Sequence, residues 1–410
     1  MKRSKWMVFV ALLSALTLLA AACGGGDDDD GAGGQPAEKI PVAVYFQGAI
    51  TGPFNYLVIP AFQGAQLKAE ELNADESFPA EITVKEGDTQ GNPDQAAPVV
   101  EEATSDPETV AIDGPAFSGE SAVSGDTYND AGIPFICPSC TGVALAEEDW
   151  DYWYRAIGND AGQGSLGGQY IAQELGAEQL FVADDKSEYG QPLADAVAEA
   201  AEEGGVEVVG RQGVESGADD YSAVLSDVEA SGADTFYFGG YDADFGKIVK
   251  QGKEAGLDDV TFMSGDGSVS STFLELAGDA AEGTHLTIPS DLGGDFAETY
   301  NSEYGGEASS VPVYAAEGYD VMGLIGEGIR SAIEGGAEDP ESIREGIKEY
   351  LDGLTPEEPY EGAAKTYAFD SETHELAAED VAQLFFVYEV ANGEMSEVGN
   401  AADLGLSLEL

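Results

Sequence analysis

Residues 109–141 read TVAIDGPAFSGESAVSGDTYNDAGIPFICPSCT, and this stretch decides the fold. TVAID (109–113) is a short apolar run that stops at Gly114-Pro115, the pattern of a strand buried on both faces. A helix is expected near 119–129, after which IPFIC (133–137) resumes the strand pattern. Two such strands joined by a helix of ten or more residues pair in parallel, with the helix laid across them.

The alternation continues in both directions. Upstream lie VAVYF (42–46), a helix over about 60–72, AEITVKE (80–86) and a helix through 94–104. Downstream come LFVADD (180–185), a helix over 191–203, VEVVG (206–210), a helix over 221–231, TFYFGG (235–240) and a helix over 243–255, then VTFMSG (260–265) and THLTIPSD (284–291). The C-terminal part changes character, with helices at about 294–304, 312–335 and 340–351 and two strand-like stretches, AKTYAFD (364–370) and AQLFFVYEV (382–390). More than about ten strands overfill one open sheet, so the fold class is α/β with two doubly wound parallel-sheet lobes.

The N-terminus is a different kind of sequence. Lys2, Arg3 and Lys5 precede an apolar run from Trp6 to Ala22, and Cys23 is followed by GGGDDDDGAGG (24–34). A basic segment, a short apolar run and small residues read as a secretory signal over 1–22, too short for an ordinary transmembrane anchor. Ala21-Ala22-Cys23 resembles the lipobox of bacterial lipoproteins, with Ala20 where that motif usually has Leu. The resemblance implies acylation of Cys23 and attachment to the extracytoplasmic face of the cell membrane. Residues 23–38, acidic and glycine-rich, are then a tether without enough apolar surface to fold.

Acidic residues number 79 against 13 basic ones once the leader's three are set aside, a net charge of about −66. Nucleic acid is excluded as a partner, since phosphate neutralisation needs Lys and Arg. The acids are dispersed along the chain, the pattern of a solvated surface suited to high salt, where self-repulsion is screened. Beyond Cys23 only Cys137 and Cys140 remain. They offer one possible local disulfide, with no wider framework and no metal quartet.

Doubly wound sheets bind ligands beyond the carboxyl ends of their strands. Those ends carry GPAFS (114–118), PSCT (138–141), KSEYG (186–190), Tyr241 and Asp266. Hydroxyls, aromatic faces and one carboxylate are what a small zwitterion needs. The same segments, with TGPF (51–54), GAQLKAEELN (64–73), GPAFSGES (114–121), AGIPFICPSCT (131–141), DDKSEYGQ (184–191), FYFGGY (236–241), FMSGDG (262–267) and YAAEGYD (314–320), carry a family resemblance over nearly all of residues 40–390. The chain resembles the leucine/isoleucine/valine-binding proteins, the solute receptors of branched-chain amino acid ABC transporters with the type I periplasmic binding protein fold.

The resemblance implies two lobes, 39–158 with 289–366 and 159–288 with 367–410, joined by crossovers near 157–160, 287–291 and 363–371. It also implies a monomer that is not an enzyme, has no cofactor or metal, and delivers a small-molecule ligand to a membrane permease. Ser118 matches the serine that holds the ligand carboxylate, and Thr141 the threonine that meets carboxylate and ammonium. Ser139 would offer its backbone carbonyl, and Asp266 its carboxylate, to the ammonium. Tyr189 and Tyr241 would close over the ligand from the second lobe, while Leu57 and Cys140 stand in the pocket wall where relatives have other residues. Tyr314 and Tyr319 read as helix-face core residues.

Plainer readings stand beside these. Ser118 or Thr141 could be a helix cap and Asp266 a turn residue. The C-P-S-C run could belong to a thiol–disulfide oxidoreductase, and Gly162, Gly164 and Gly167 form a G-x-G-x-x-G that lacks the strand a dinucleotide site requires. His285 and His374 sit in no nucleophile-elbow context. A short amide, urea or an aromatic acid is the alternative ligand on the same fold.

Overall fold

The structure, a computed structural model, describes residues 39–292, 296–305, 312–377 and 381–408. The leader, Cys23 and the tether to residue 38 lie outside the described residues. Residues Glu38–Leu410 form one compact unit.

The first sheet takes β1 (Ile40–Gly48), β2 (Ala80–Asp88), β3 (Thr109–Asp113), β4 (Phe135–Cys137) and β5 (Trp153–Arg155) in the order β2-β1-β3-β4-β5, all parallel. Between these strands run α1 (Asn55–Ala74), α2 (Ala96–Ser105) and α3 (Ser118–Asp130). The chain crosses through α4 (Asp160–Gln173) into a second sheet of β6 (Gln179–Asp184), β7 (Glu207–Gly213), β8 (Thr235–Gly239), β9 (Thr261–Ser264) and β10 (His285–Ile288). Its connecting helices are α5 (Gly190–Glu203), α6 (Ser222–Ser231), α7 (Asp242–Glu254) and α8 (Ser271–Ala277). Then follow α9 (Phe296–Tyr304), α10 (Ala315–Glu334), α11 (Pro340–Asp352) and a small hairpin of β11 (Tyr360–Glu361) and β12 (Thr366–Tyr367). Finally β13 (Phe386–Ala391) and β14 (Glu394–Asn400) add antiparallel to the second sheet, giving β14-β13-β10-β9-β8-β6-β7.

Strands such as TVAID are buried along their whole length, as expected where helices cover both faces. Glycines bring the covering helices close. A Cβ on Gly64 of α1 would lie 2.1 Å from the Ala315 carbonyl oxygen, and one on Gly318 of α10 would lie 2.1 Å from that of Ala61. The G-x-G-x-x-G glycines serve the same purpose between α4 and α5, where a Cβ on Gly164 would lie 2.4 Å from Ala196 Cβ and one on Gly167 would lie 3.0 Å from Val197. They are packing residues at a helix crossing, not a phosphate cradle.

Several elements differ from expectation. AKTYAFD forms a strand only at Thr366–Tyr367, with a further isolated bridge from Phe369 to Leu376, and AQLFFVYEV begins as a 3-10 turn, Val381–Leu384, before the strand. Two strands lacked a readable signal. Trp153–Arg155 is a three-residue edge strand carrying a buried arginine, and Glu394–Asn400 is a largely exposed edge strand of polar residues.

The first lobe buries acids without cations. Glu120 is fully buried on α3, accepts from the Thr89 hydroxyl through one oxygen and has no partner for the other. Burial pushes its carboxyl up to about 8. Asp113, with neither oxygen partnered, is pushed well above the usual carboxylate range by burial alone. An acid that holds its proton in the fold but ionises near 4.5 when unfolded stabilises the fold fully below that pH, and the contribution is lost as pH rises toward about 8. Conformational stability at fixed high salt should therefore fall between about pH 5 and pH 8. Glu120→Gln should gain on wild type across that range by on the order of 3 kcal/mol in chemical denaturation. A pH-independent difference between the two proteins would contradict the assignment.

Candidate functional site

In each sheet the strand order reverses beside the first strand of the lobe, between β1 and β3 and between β6 and β8. A crevice opens at such switch points, at the carboxyl ends of the strands. The pocket between the two sheets is a narrow cavity of about 20 Å³ lined by segments from both. Leu57 and Val58 come from the start of α1, Ala116, Phe117 and Ser118 follow β3, and Ser139 follows β4. From the other side come Tyr189 after β6, Tyr241 after β8, and Asp266 and Gly267 after β9, with Tyr314 just before α10.

Asp266 is the pocket's carboxylate and is only 4% exposed. A buried charge persists only when donors replace its water, and here three do. One oxygen accepts from Gln163 Nε2 at 2.8 Å and from the Tyr189 hydroxyl at 2.7 Å, and the other accepts from the Tyr314 hydroxyl. Burial raises its pKa, and the hydroxyls of Tyr314 and Tyr189 and the Gln163 amide pull the other way. The Tyr189 hydroxyl in turn accepts from Gly267 N at 3.0 Å, which fixes the turn that carries Asp266.

Opposite Asp266, Ser118 opens α3, and its hydroxyl does not cap its own helix but accepts from Gly142 N at 3.0 Å. That bond leaves the hydroxyl proton beside the positive end of the helix, where an anionic group is favoured. Ser139 Oγ donates to the Ala116 carbonyl at 2.8 Å, tying together the two loops that follow β3 and β4.

Residues 140–142 are held from behind by Arg155, which is fully buried. Its guanidinium donates to the Cys140 carbonyl, to the Gly142 carbonyl at 2.8 Å, and to both Glu375 oxygens at 2.9 and 3.0 Å. Thr141 lies in this clamped loop, buried, with an unpartnered hydroxyl, and does not line the pocket itself. Cys140 does not form pocket wall. It is bonded to Cys137 and buried in a separate cluster with Tyr128, Phe135, Trp150 and Trp153. Both sulfurs belong to residues with 0% exposure, which disfavours thiol–disulfide exchange, since that chemistry needs an accessible sulfur.

The mouth is aromatic. Tyr241 packs on Phe54 (5.0 Å between centroids), Tyr189 (5.3 Å) and Phe117 (6.0 Å). The Tyr56 hydroxyl donates to the Gly267 carbonyl at 3.3 Å and lies beside Asp242, whose carboxyl is pushed up to about 6 mainly by burial.

The structure thus brings Leu57, Ser118, Ser139, Tyr189, Tyr241 and Asp266 together, with Thr141 one layer behind and Cys140 elsewhere. Tyr314 is buried in the core as expected, but it lies ahead of α10 and not on its face, and it lines the pocket as well. It precedes α10 with φ +62° and donates its hydroxyl to Asp266, whereas the sequence pattern starts that helix at about 312. Tyr319 lies at the half-buried edge of α10, donating to Glu71 at 2.5 Å. Val58 and Phe117 were also missed. His285 pairs with the Tyr170 hydroxyl at 3.2 Å and His374 stacks on Tyr154, both outside the pocket. Among the described residues no group of three or more metal-ligating side chains is present, and no helix is long and apolar enough to cross a membrane.

The profile of a family described as periplasmic binding protein matches residues 41–394. The chain is 29% identical to the leucine-, isoleucine-, valine-, threonine- and alanine-binding protein of Pseudomonas aeruginosa over 76% of its own length and 83% of that protein. It is 30% identical to the Leu/Ile/Val-binding protein of Escherichia coli, covering 62% and 68% of the two chains. Among solved structures, a leucine binding protein from Thermotoga maritima superposes with TM-score 0.75 at 23% identity, covering 88% of this chain and 98% of that one. A branched-chain amino acid substrate-binding protein from Streptococcus pneumoniae, in complex with isoleucine, gives 0.74 at 24%, covering 88% and 99%.

The Arg155 clamp makes a stability prediction. Arg155→Met strands two buried carbonyls and the Glu375 carboxylate, and denaturant titration should show a loss of roughly 3 kcal/mol. Arg155→Met/Glu375→Met should recover only part of it, because the Cys140 and Gly142 carbonyls stay unpaired. A loss below about 1 kcal/mol for the single variant would mean that the clamp is dispensable.

Proposed function

The chain belongs to the periplasmic binding protein family, and from that premise we propose that it is the substrate-binding component of an ABC importer, holding a branched-chain or related apolar amino acid between two closing lobes. The observation that carries this reading is one buried carboxylate, Asp266, facing a serine hydroxyl at a helix N-terminus across an apolar pocket. That is the charge pattern of an amino-acid headgroup. The ligand carboxylate sits at Ser118 and the first turn of α3, and the ammonium at Asp266 and the Ser139 carbonyl. The Leu57, Val58, Ala116 and Phe117 side chains receive an aliphatic side chain. The pocket stands nearly closed, with room for little more than one water molecule, so a ligand the size of a single amino acid enters as the lobes open. The names of the relatives, binders of leucine, isoleucine and valine, support the same class.

The mechanism has no covalent step. One lobe comprises 39–158 with 289–377 and the other 159–288 with the C-terminal strands. Phe369 packs on Tyr154 and Glu375 pairs with Arg155, which supports a last crossover beyond residue 377 and not near 363–371. Hinge motion at the crossovers brings Tyr189, Tyr241 and Asp266 against the first lobe, and the closed form is the one that the permease reads. Acylated Cys23 anchors a monomer on the extracytoplasmic face of the membrane, with residues 23–38 as tether.

Two outcomes test the reading by calorimetry and stopped-flow with leucine, isoleucine and valine. Asp266→Ala removes the partner of a buried ammonium, at a cost of roughly 2–5 kcal/mol, so affinity should fall more than about thirtyfold. Unchanged affinity, or heat only from an amide, urea or aromatic acid, would overturn the headgroup assignment. Tyr241→Ala removes the ring that bridges Phe54 and Phe117, and should speed ligand release about tenfold or more with little change in association rate. An equal slowing of association would place Tyr241 outside the closure step.

A further inference from the structure

Behind the pocket floor lies a second carboxylate that the headgroup contacts do not use. Asp160, in the first turn of α4, is 1% exposed, and neither of its oxygens has a hydrogen-bond partner. Its backbone N donates to the Thr141 carbonyl at 2.9 Å, so it is fixed directly behind the clamped loop. The Thr141 hydroxyl, itself unpartnered, lies beside the carboxyl without a bond of acceptable geometry.

The groups that act on Asp160 come from every side. Asp266 on the turn after β9 and Glu375 from the C-terminal segment are negative, and Arg155 of β5 is positive but already engaged by Glu375. The hydroxyls of Tyr189, Tyr237 and Tyr314 lie in the field of both aspartates. Two carboxylates that act on each other inside a buried site do not readily both hold a full charge. The donors decide which one does. Asp266 receives three and is the better stabilised of the two as an anion, whereas Asp160 receives none. The N-terminus of α4 favours an anion at Asp160, but the helix dipole is a weak effect against complete burial without a donor.

We propose that Asp160 is a second acid of the ligand site, protonated in the free protein, which gives up its proton to solvent when an ammonium-bearing ligand docks against Asp266. The exchange balances: Asp160–COOH becomes Asp160–COO⁻ and one H⁺ enters the buffer, while the ligand remains a zwitterion. Burial, pushing the Asp160 carboxyl up to about 8, is consistent with this geometry. Asp160 acts as a positioning residue, because its negative charge then acts on the ammonium from behind the loop that carries Thr141, and binding tightens as pH rises. The inference rests on the amino-acid reading above.

The test is leucine titration of the full chain in buffers of different ionisation enthalpy, across about pH 6 to pH 8. Wild type should release between a few tenths of a proton and one proton, and its affinity should strengthen roughly fivefold to tenfold over that range. In Asp160→Asn, or Asp160→Ser should the amide fail to fold, the release should vanish and the pH dependence flatten. Leucine binding with buffer-independent heat in wild type, or proton uptake, overturns the inference and leaves the amino-acid reading standing. Release that persists in the variant overturns the assignment to Asp160. No leucine binding at all removes the reading on which the inference depends.

Discussion

A carboxylate buried between two sheets has to be solvated by protein, and the solvation of Asp266 is the constraint that organises this molecule. Its three donors come from three places in the chain: Gln163 from α4, Tyr189 from the turn before α5, and Tyr314 from the residue before α10. Gln163 and Tyr189 belong with the second sheet. Tyr314 precedes a helix that packs on α1, over the first sheet. The bond from Tyr314 to Asp266 therefore joins the two halves, and the carboxylate is fully served only when they are together. Charge-assisted bonds of this kind are among the stronger ones available to a protein.

The surroundings follow from the same need. Basic residues are scarce, 16 against 79 acidic, and the pocket contains none of them. The cation placed nearest the site, Arg155, is neutralised by Glu375 and serves to hold the carbonyls of residues 140 and 142. The loop between β4 and β5 is thus rigid without lending positive charge to the pocket. The interior field at the floor stays negative, which suits an ammonium group and disfavours a simple anion. The acidic exterior is a separate matter of solvation and screening by salt.

Much of this was legible in the sequence. TVAID, the helix after it and the strands at 180–185 and 235–240 announce a doubly wound sheet because strands buried on both faces read as unbroken apolar runs. Ser118, Tyr189, Tyr241 and Asp266 could be placed because they lie in the segments that follow such strands and match the family's motifs there. Tyr314 could not, since its segment resembles the start of an amphipathic helix and only the backbone at φ +62° turns the ring into the site. Cys140 misled for a related reason: its neighbour Ser139 reaches the pocket, but Cys140 itself is bonded to Cys137 and buried in a separate cluster. Asp160 gave no signal at all, because an acid at the first turn of a helix is ordinary and only its burial is not. The edge strands at 153–155 and 394–400 escaped notice because one is too short and the other too polar to show a period.

The central claim, that Asp266 and Ser118 hold opposite ends of one amino-acid headgroup, is tested most directly by a crystal structure of residues 38–410 grown with leucine. The expected result is one leucine between the lobes, its ammonium nitrogen about 3 Å from an Asp266 carboxylate oxygen, its carboxylate on the Ser118 hydroxyl, and its side chain against Leu57 and Phe117. A leucine bound in reverse, with its carboxylate toward Asp266, or bound away from this pocket would contradict the account.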